Sequence, residues 1–242
     1  MQGDQHRQHI SGQFNAELDA MKNHLLEMGG LVEQQLSRAL RAFLGRDSGE
    51  AASVIRSDAE INAMELRIDE ECSRILARRQ PAASDLRLVL AVARSSTDLE
   101  RIGDEATKIA RQAVKLSELS PAPGNSLELR QIAGHVSSML RDVLDSFARL
   151  DVTRAIDVVM VDSTVDASYQ SAMGSLIARM REQPGSIEAV LQEMWALRGL
   201  ERVGDHATNV AEQIVYLVRG VDVRHRSKNE LEAMLTSGEG QR

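Results

Sequence analysis

The segment Leu99-Glu100-Arg101-Ile102-Gly103-Asp104 returns 101 positions later as Leu200-Glu201-Arg202-Val203-Gly204-Asp205, and Ala106-Thr107 returns as Ala207-Thr208. Repetition over half a chain requires two copies of one structural unit. Within each copy the apolar residues keep helical spacing, so the unit is built of helices. Leu18, Met21, Leu25, Met28, Val32, Leu36 and Leu40 mark a first helix, stopped at Gly45, with Asp47, Ser48 and Gly49 opening the next. The second, about 51–79, carries Val54, Ile61, Leu66, Ile68, Ile75 and Leu76 and ends before Pro81. Ser84 is the expected cap of a third, in which Leu99, Ile102, Ala106, Ile109, Ala113 and Leu116 form one seam.

A stretch over 118–127 with Pro121, Pro123 and Gly124 reads as a linker. The plan then starts again: helices over 128–149 and 153–181, Pro184-Gly185-Ser186, and a helix to Arg219 whose Leu200, Val203, Ala207, Val210, Ile214 and Leu217 repeat the seam. The expected fold is therefore all-α, two tandem three-helix bundles: 1–117, the linker 118–127, 128–220, and a polar tail 221–242 with a short helix near Glu230 to Leu235.

Composition agrees and removes several functions. Aromatic residues are 2% of a chain that is 43% hydrophobic, which disfavours strands. A net charge of -7 and so few rings to stack bases on argue against a nucleic-acid ligand. The most apolar run, Leu86 to Ala93, falls short of the roughly 20 residues that cross a bilayer, so membrane association is expected only through partners. One cysteine, Cys72, packed as a small apolar group, and a polar start without an export signal point to the cytoplasm.

The chemistry lies in carboxylates. Glu100/Asp104 and Glu201/Asp205 are i,i+4 pairs about 100° round from the apolar seam, beside the core and not opposite it. Thr97 and Thr107 extend the first stripe, Thr208 and Glu212 the second. Asp162/Asp166 on the second half's middle helix, and Asp58/Asn62 on the first's, face the stripes if the helices pack antiparallel. Converging oxygens repel unless a cation neutralises them, and hard oxygen donors select Mg²⁺, Mn²⁺, Ca²⁺ or Fe. The opposing reading is a solvated charged face, with Arg101 or Arg202 paired to acids of a neighbouring helix. Repetition of the pattern and a mid-helix glycine in each copy, at about 1 kcal/mol relative to Ala, favour a constrained site.

Histidines add little: His6 and His9 lie in the polar start, His206 is expected to face solvent, and no Glu-x-x-His pair of a di-iron bundle is present. Trp195, Met160, Met173, Met180 and Met194 read as core fillers. No phosphate loop, nucleophile set or paired-cysteine site is written in the chain. A general base for a di-metal enzyme cannot be named, which leaves a metal-binding or a metal-free docking protein ahead of a catalyst.

The duplicated Glu-Arg-(Ile/Val)-Gly-Asp context, the three-plus-three plan, and runs such as His9 to Leu18, Met28-Gly29-Gly30, Arg79-Gln80-Pro81 and Ser84 to Leu88 resemble the PhoU family. That resemblance implies a non-enzymatic negative regulator of phosphate uptake and of the phosphate regulon. It implies (Glu/Asp)-x-x-x-Asp motifs at Glu100 to Asp104 and Glu201 to Asp205 that bind divalent or clustered metals, Mg, Mn, Fe or Zn. It further implies signalling between the phosphate ABC transporter, through its ATPase subunit, and the sensor histidine kinase PhoR, with homodimerisation. Asn209 fits the second motif, and Lys108 stands at the corresponding place in the first.

Overall fold

The computed structural model describes residues 2–119, 127–224, 226 and 228–237, with side chains from residue 12 onward apart from 228, 232 and 235–237. Helices α1 (Gln2–Gly45), α2 (Ser48–Arg79) and α3 (Ala83–Glu118) form one bundle. Helices α4 (Leu127–Arg149), α5 (Val152–Glu182) and α6 (Ile187–Arg219) form the second, and α7 (Lys228–Ser237) packs on α5. Residues 120–126 of the expected linker and the glycines of the tail lie outside the described residues. Among the described residues no helix is long and apolar enough to cross a membrane.

The seams lie where the periodicity puts them. Met21, Met28, Val32, Leu36, Leu99, Ile102, Ala106 and Ile109 are buried, as are Leu200, Val203, Ala207, Val210 and Ile214. Two apolar expectations fail. Leu66 is 64% exposed and Trp195 63%, because each falls on the outer face of its helix, while Met160, Met173, Met180 and Met194 are only half-buried. Cys72 is buried, with Sγ 3.4 Å from Met21 Sδ, and burial pushes its thiol up to about 12.

The turn between the first two helices is duplicated as faithfully as the stripes. Arg46 and Leu150 take the left-handed conformation (φ 52° and 55°), and the following Asp47 and Asp151 donate back to Ala42 O and Ser146 O, closing the preceding helix. The same aspartates then cap the next helix, accepting from Glu50 N at 2.9 Å and Arg154 N at 3.1 Å. The first helix thus ends at Gly45 as expected, but the left-handed residue that closes it is Arg46. Ser84 is not the cap of α3 either: Ala82 holds the N-cap position without a side-chain bond, and Ser84 already lies inside the helix.

The most extensive helix–helix interface joins α3 to α6, so the central helix of each bundle is also the seam between bundles. The two run antiparallel: Arg87 Nε donates to Leu217 O, Arg94 Nη1 to Gln213 Oε1, and Arg202 Nε lies 3.1 Å from Glu105 Oε1. Helices α1 and α4 close the other side, where Leu144 lies against Gly29 and Arg141 pairs with Glu33 at 3.0 Å.

Candidate metal-binding faces

Each stripe lies where its own third helix meets its second. In the second half Asp162 of α5 lies beside Gly204 of α6, where a Cβ added at Gly204 would stand at ordinary contact distance, 3.5 Å, from Asp162 Oδ1. Glu201 is half-buried, and its Oε2 is fully buried with no hydrogen-bond partner. Burial, then the Asp205 carboxylate, raise Glu201 above the ordinary carboxylate range, with Asp166 adding to the effect against Arg198 and Arg202. Asp205 is raised as well, by partial desolvation and then by Asp166, although it keeps an exposed edge, and is opposed by His206, Arg198 and Arg202. Asp162, Asp166, Glu201 and Asp205 are thus gathered at one face between α5 and α6, as the antiparallel packing requires.

In the first half burial and then Asp104 raise Glu100, with Glu65 and Asp58 of α2 contributing and Arg101 opposing. Arg101 stands 3.5 Å from Glu100 Oε2 and 3.9 Å from Asp104 Oδ2. Asp58 is tied down by the protein itself: its Oδ1 accepts from Thr107 Oγ1 at 3.0 Å and from Gln35 Nε2 at 3.2 Å. Asn62, where the second half has Asp166, leaves its Oδ1 buried without a partner.

Three participants escape a reading of the helix patterns. Gln35, only 3% exposed, forms the floor of the first stripe, and its counterpart in the second is Met139. Its signal was a polar residue one step from Leu36, inside the seam of α1. Glu65 faces Glu100 and accepts from Thr97 Oγ1 at 3.3 Å, but a lone Glu on a charged helix carries no mark. His206 does not face solvent: its Nδ1 lies 2.9 Å from Asp98 Oδ1 across the α3/α6 interface, and Asn209 Nδ2 donates to the same oxygen at 3.0 Å. No helical periodicity foretells a contact between halves.

Among the described residues no three His, Cys, Asp or Glu side chains already stand in a ligating group. The donor chemistry nevertheless fits a hard divalent cation. The donors are oxygens, Glu100, Glu201 and Asp205 hold their protons more tightly than free carboxyls, and Glu201 Oε2 and Thr208 Oγ1 are buried without partners.

Similarity to known proteins follows the same boundaries. A family profile described as the PhoU domain matches residues 25–113 and 129–214, one match per bundle. The chain is 54% identical over 225 residues, 93% of its length and 88% of the relative's, to the phosphate-specific transport system accessory protein PhoU homolog of Pseudomonas putida. It is 44% identical over 227 residues, 94% of each chain, to the phosphate-specific transport system accessory protein PhoU of Escherichia coli (strain K12). The crystal structure of PhoU from Pseudomonas aeruginosa superposes with a TM-score of 0.84 at 52% identity, covering 86% of this chain and all of that one.

Proposed function

This chain belongs to the PhoU family, and from that premise we propose that it is an accessory protein of a phosphate-specific transport system, acting as a negative regulator of phosphate uptake and of the phosphate regulon. It acts without catalysis, as a cytoplasmic, homodimeric adaptor between the transporter's ATPase subunit and the sensor histidine kinase PhoR. Divalent metal, held by Glu100 and Asp104 in one half and by Glu201, Asp205, Asp162 and Asp166 in the other, stiffens the faces that partners meet. The metal supplies positive charge that lets clustered carboxylates approach, joining α2 to α3 and α5 to α6. The observation that carries this reading is the duplicated stripe itself, with a buried, donorless carboxylate oxygen at Glu201. Long helices then offer broad, continuous docking surfaces.

A second reading keeps the adaptor and removes the metal. It is favoured by the guanidinium groups already on the stripes, Arg101 on Glu100 and Arg198 on Glu201 at 2.7 Å, which show that the carboxylates accept cationic side chains. One experiment separates the two. Elemental analysis of untagged protein, wild type against Asp104→Ala and Asp205→Ala, is combined with capture of the cytoplasmic part of PhoR. Metal that falls with each substitution is the expected result. Metal-free wild type that still captures the kinase makes the stripes docking faces, and failure to capture kinase or ATPase removes the adaptor.

A further inference from the structure

The duplication invites a residue-by-residue comparison of the two stripes, and they are not neutralised alike. Arg101 and Arg202 are equivalent, each following the first acid of its pair. Arg101 folds back over its own stripe, spanning Glu100 and Asp104. Arg202 instead crosses the α3/α6 interface to Glu105 Oε1 at 3.1 Å. The cause is the residue after each stripe. The first half has Glu105, only 3% exposed, a buried carboxylate that must find cations and takes both Arg202 and Lys108, the latter at 2.9 Å. The second half has His206 there, and His206 is engaged with Asp98, leaving nothing to draw Arg101 away.

The consequences fall on one side. Among the described residues no Arg or Lys reaches Asp205 at ion-pair distance. Arg198, which stands where the first half has Thr97, meets Glu201 only through Oε1 and leaves Oε2 buried and donorless. Asp166 adds a carboxylate where the first half has the neutral Asn62. We propose that the α5/α6 stripe is the stronger divalent-cation site of the two, and that Glu105 makes it so by holding Arg202 across the interface. Glu105 is a positioning residue that acts from the opposite half. The inference rests on the metal reading above and extends it: the halves are unequal sites, linked by the ion pair between the buried Glu105 and the half-exposed Arg202.

The test is Mn²⁺ binding to the full chain, read from the loss of the free-ion electron paramagnetic resonance signal. Glu100→Gln isolates the second stripe and Glu201→Gln the first. The expected result is that the tighter class survives Glu100→Gln and is lost in Glu201→Gln. In the Glu100→Gln background, Glu105→Gln releases Arg202 onto Asp205 and weakens binding by about tenfold, and adding Arg202→Gln restores it. Because a buried Glu105→Gln can disturb folding, a second pair avoids it. Arg202→Gln alone changes second-stripe affinity by less than about twofold, whereas Arg101→Gln strengthens the first stripe by about fivefold or more. Equal affinities in the two halves, or a tight class that follows Glu100, overturn this inference and leave metal binding standing. Absence of any Mn²⁺ binding by the wild type removes both.

Discussion

Gly103 and Gly204 hold equivalent places in the two stripes, yet a methyl group at each meets different surroundings. At Gly103 it would lie 3.0 Å from Gln35 Oε1 and 3.3 Å from Ile61 Cδ1, and Gln35 cannot easily yield because its Nε2 holds both Asp58 and Thr107. At Gly204 the nearest atoms, Asp162 Oδ1 at 3.5 Å and Val165 Cγ1 at 3.8 Å, are at ordinary contact distance. Gly204→Ala should therefore gain helix propensity, up to about 1 kcal/mol, while Gly103→Ala should lose about 1–2 kcal/mol, both measurable by urea denaturation. The sequence argument that a mid-helix glycine marks close approach thus holds for Gly103, where the intruder is a glutamine, and not for Gly204. Protonation gives a second prediction at this scale. Glu201 is raised in the folded protein, so the fold binds its proton more tightly than the unfolded chain does; its contribution is most favourable below the unfolded pKa and is lost as pH rises through the folded pKa. In chelator, Glu201→Gln should melt a few degrees above wild type at neutral pH, with the gain shrinking as pH falls through the carboxylate range. A gain that is the same at low pH would mean that the raised carboxylate is not its source.

Helix boundaries were legible where an aspartate caps the next helix, and not at Ser84, which lies inside α3. Asp47 announces its cap in the sequence, and Asp151, with no Ser or Gly beside it, performs the same task because the duplicated turn presents its carboxylate to Arg154 N. Asp47→Ala and Asp151→Ala should each cost about 1 kcal/mol. The left-handed residues before them were not legible, since neither is the glycine that such a position favours. They also differ. Arg46 is retained by what its side chain does, Nη1 donating to Leu119 O at 3.2 Å at the end of α3, whereas Leu150 is 41% exposed. Leu150→Gly should stabilise the protein by about 1 kcal/mol by removing the Cβ penalty of the left-handed turn. Arg46→Gly should gain nothing, because the lost carbonyl contacts offset the same relief. Equal gains in thermal melts of both would show that the Arg46 contacts contribute nothing to stability. What the periodicity could not supply was which outward positions stay outward: Trp195 and Leu66 look like core residues until the neighbouring helix is known to lie on the other side.

At the scale of the whole molecule the duplication is a description of sequence, and the packing joins the two bundles through their third helices. The central helix of each bundle is buried twice, once by its own partners and once by its twin, so α3 and α6 should share the slowest hydrogen exchange in the molecule. Gly199 tests whether they behave as one unit. It lies under Ile109, where an added Cβ would approach Cγ1 to 3.1 Å, with Glu105 Oε2 at 3.6 Å, so a branched side chain cannot fit without parting the helices. Gly199→Val should destabilise the protein by about 1–3 kcal/mol, lower a single cooperative transition, and speed amide exchange in α3 and α6 together. Two separate transitions, or faster exchange confined to α4, α5 and α6, would mean that the halves fold as separate domains. A cooperative loss would give a change at one stripe a route to the other, since Glu105 and Arg202, Asp98 and His206 all cross the same interface that Gly199 keeps close.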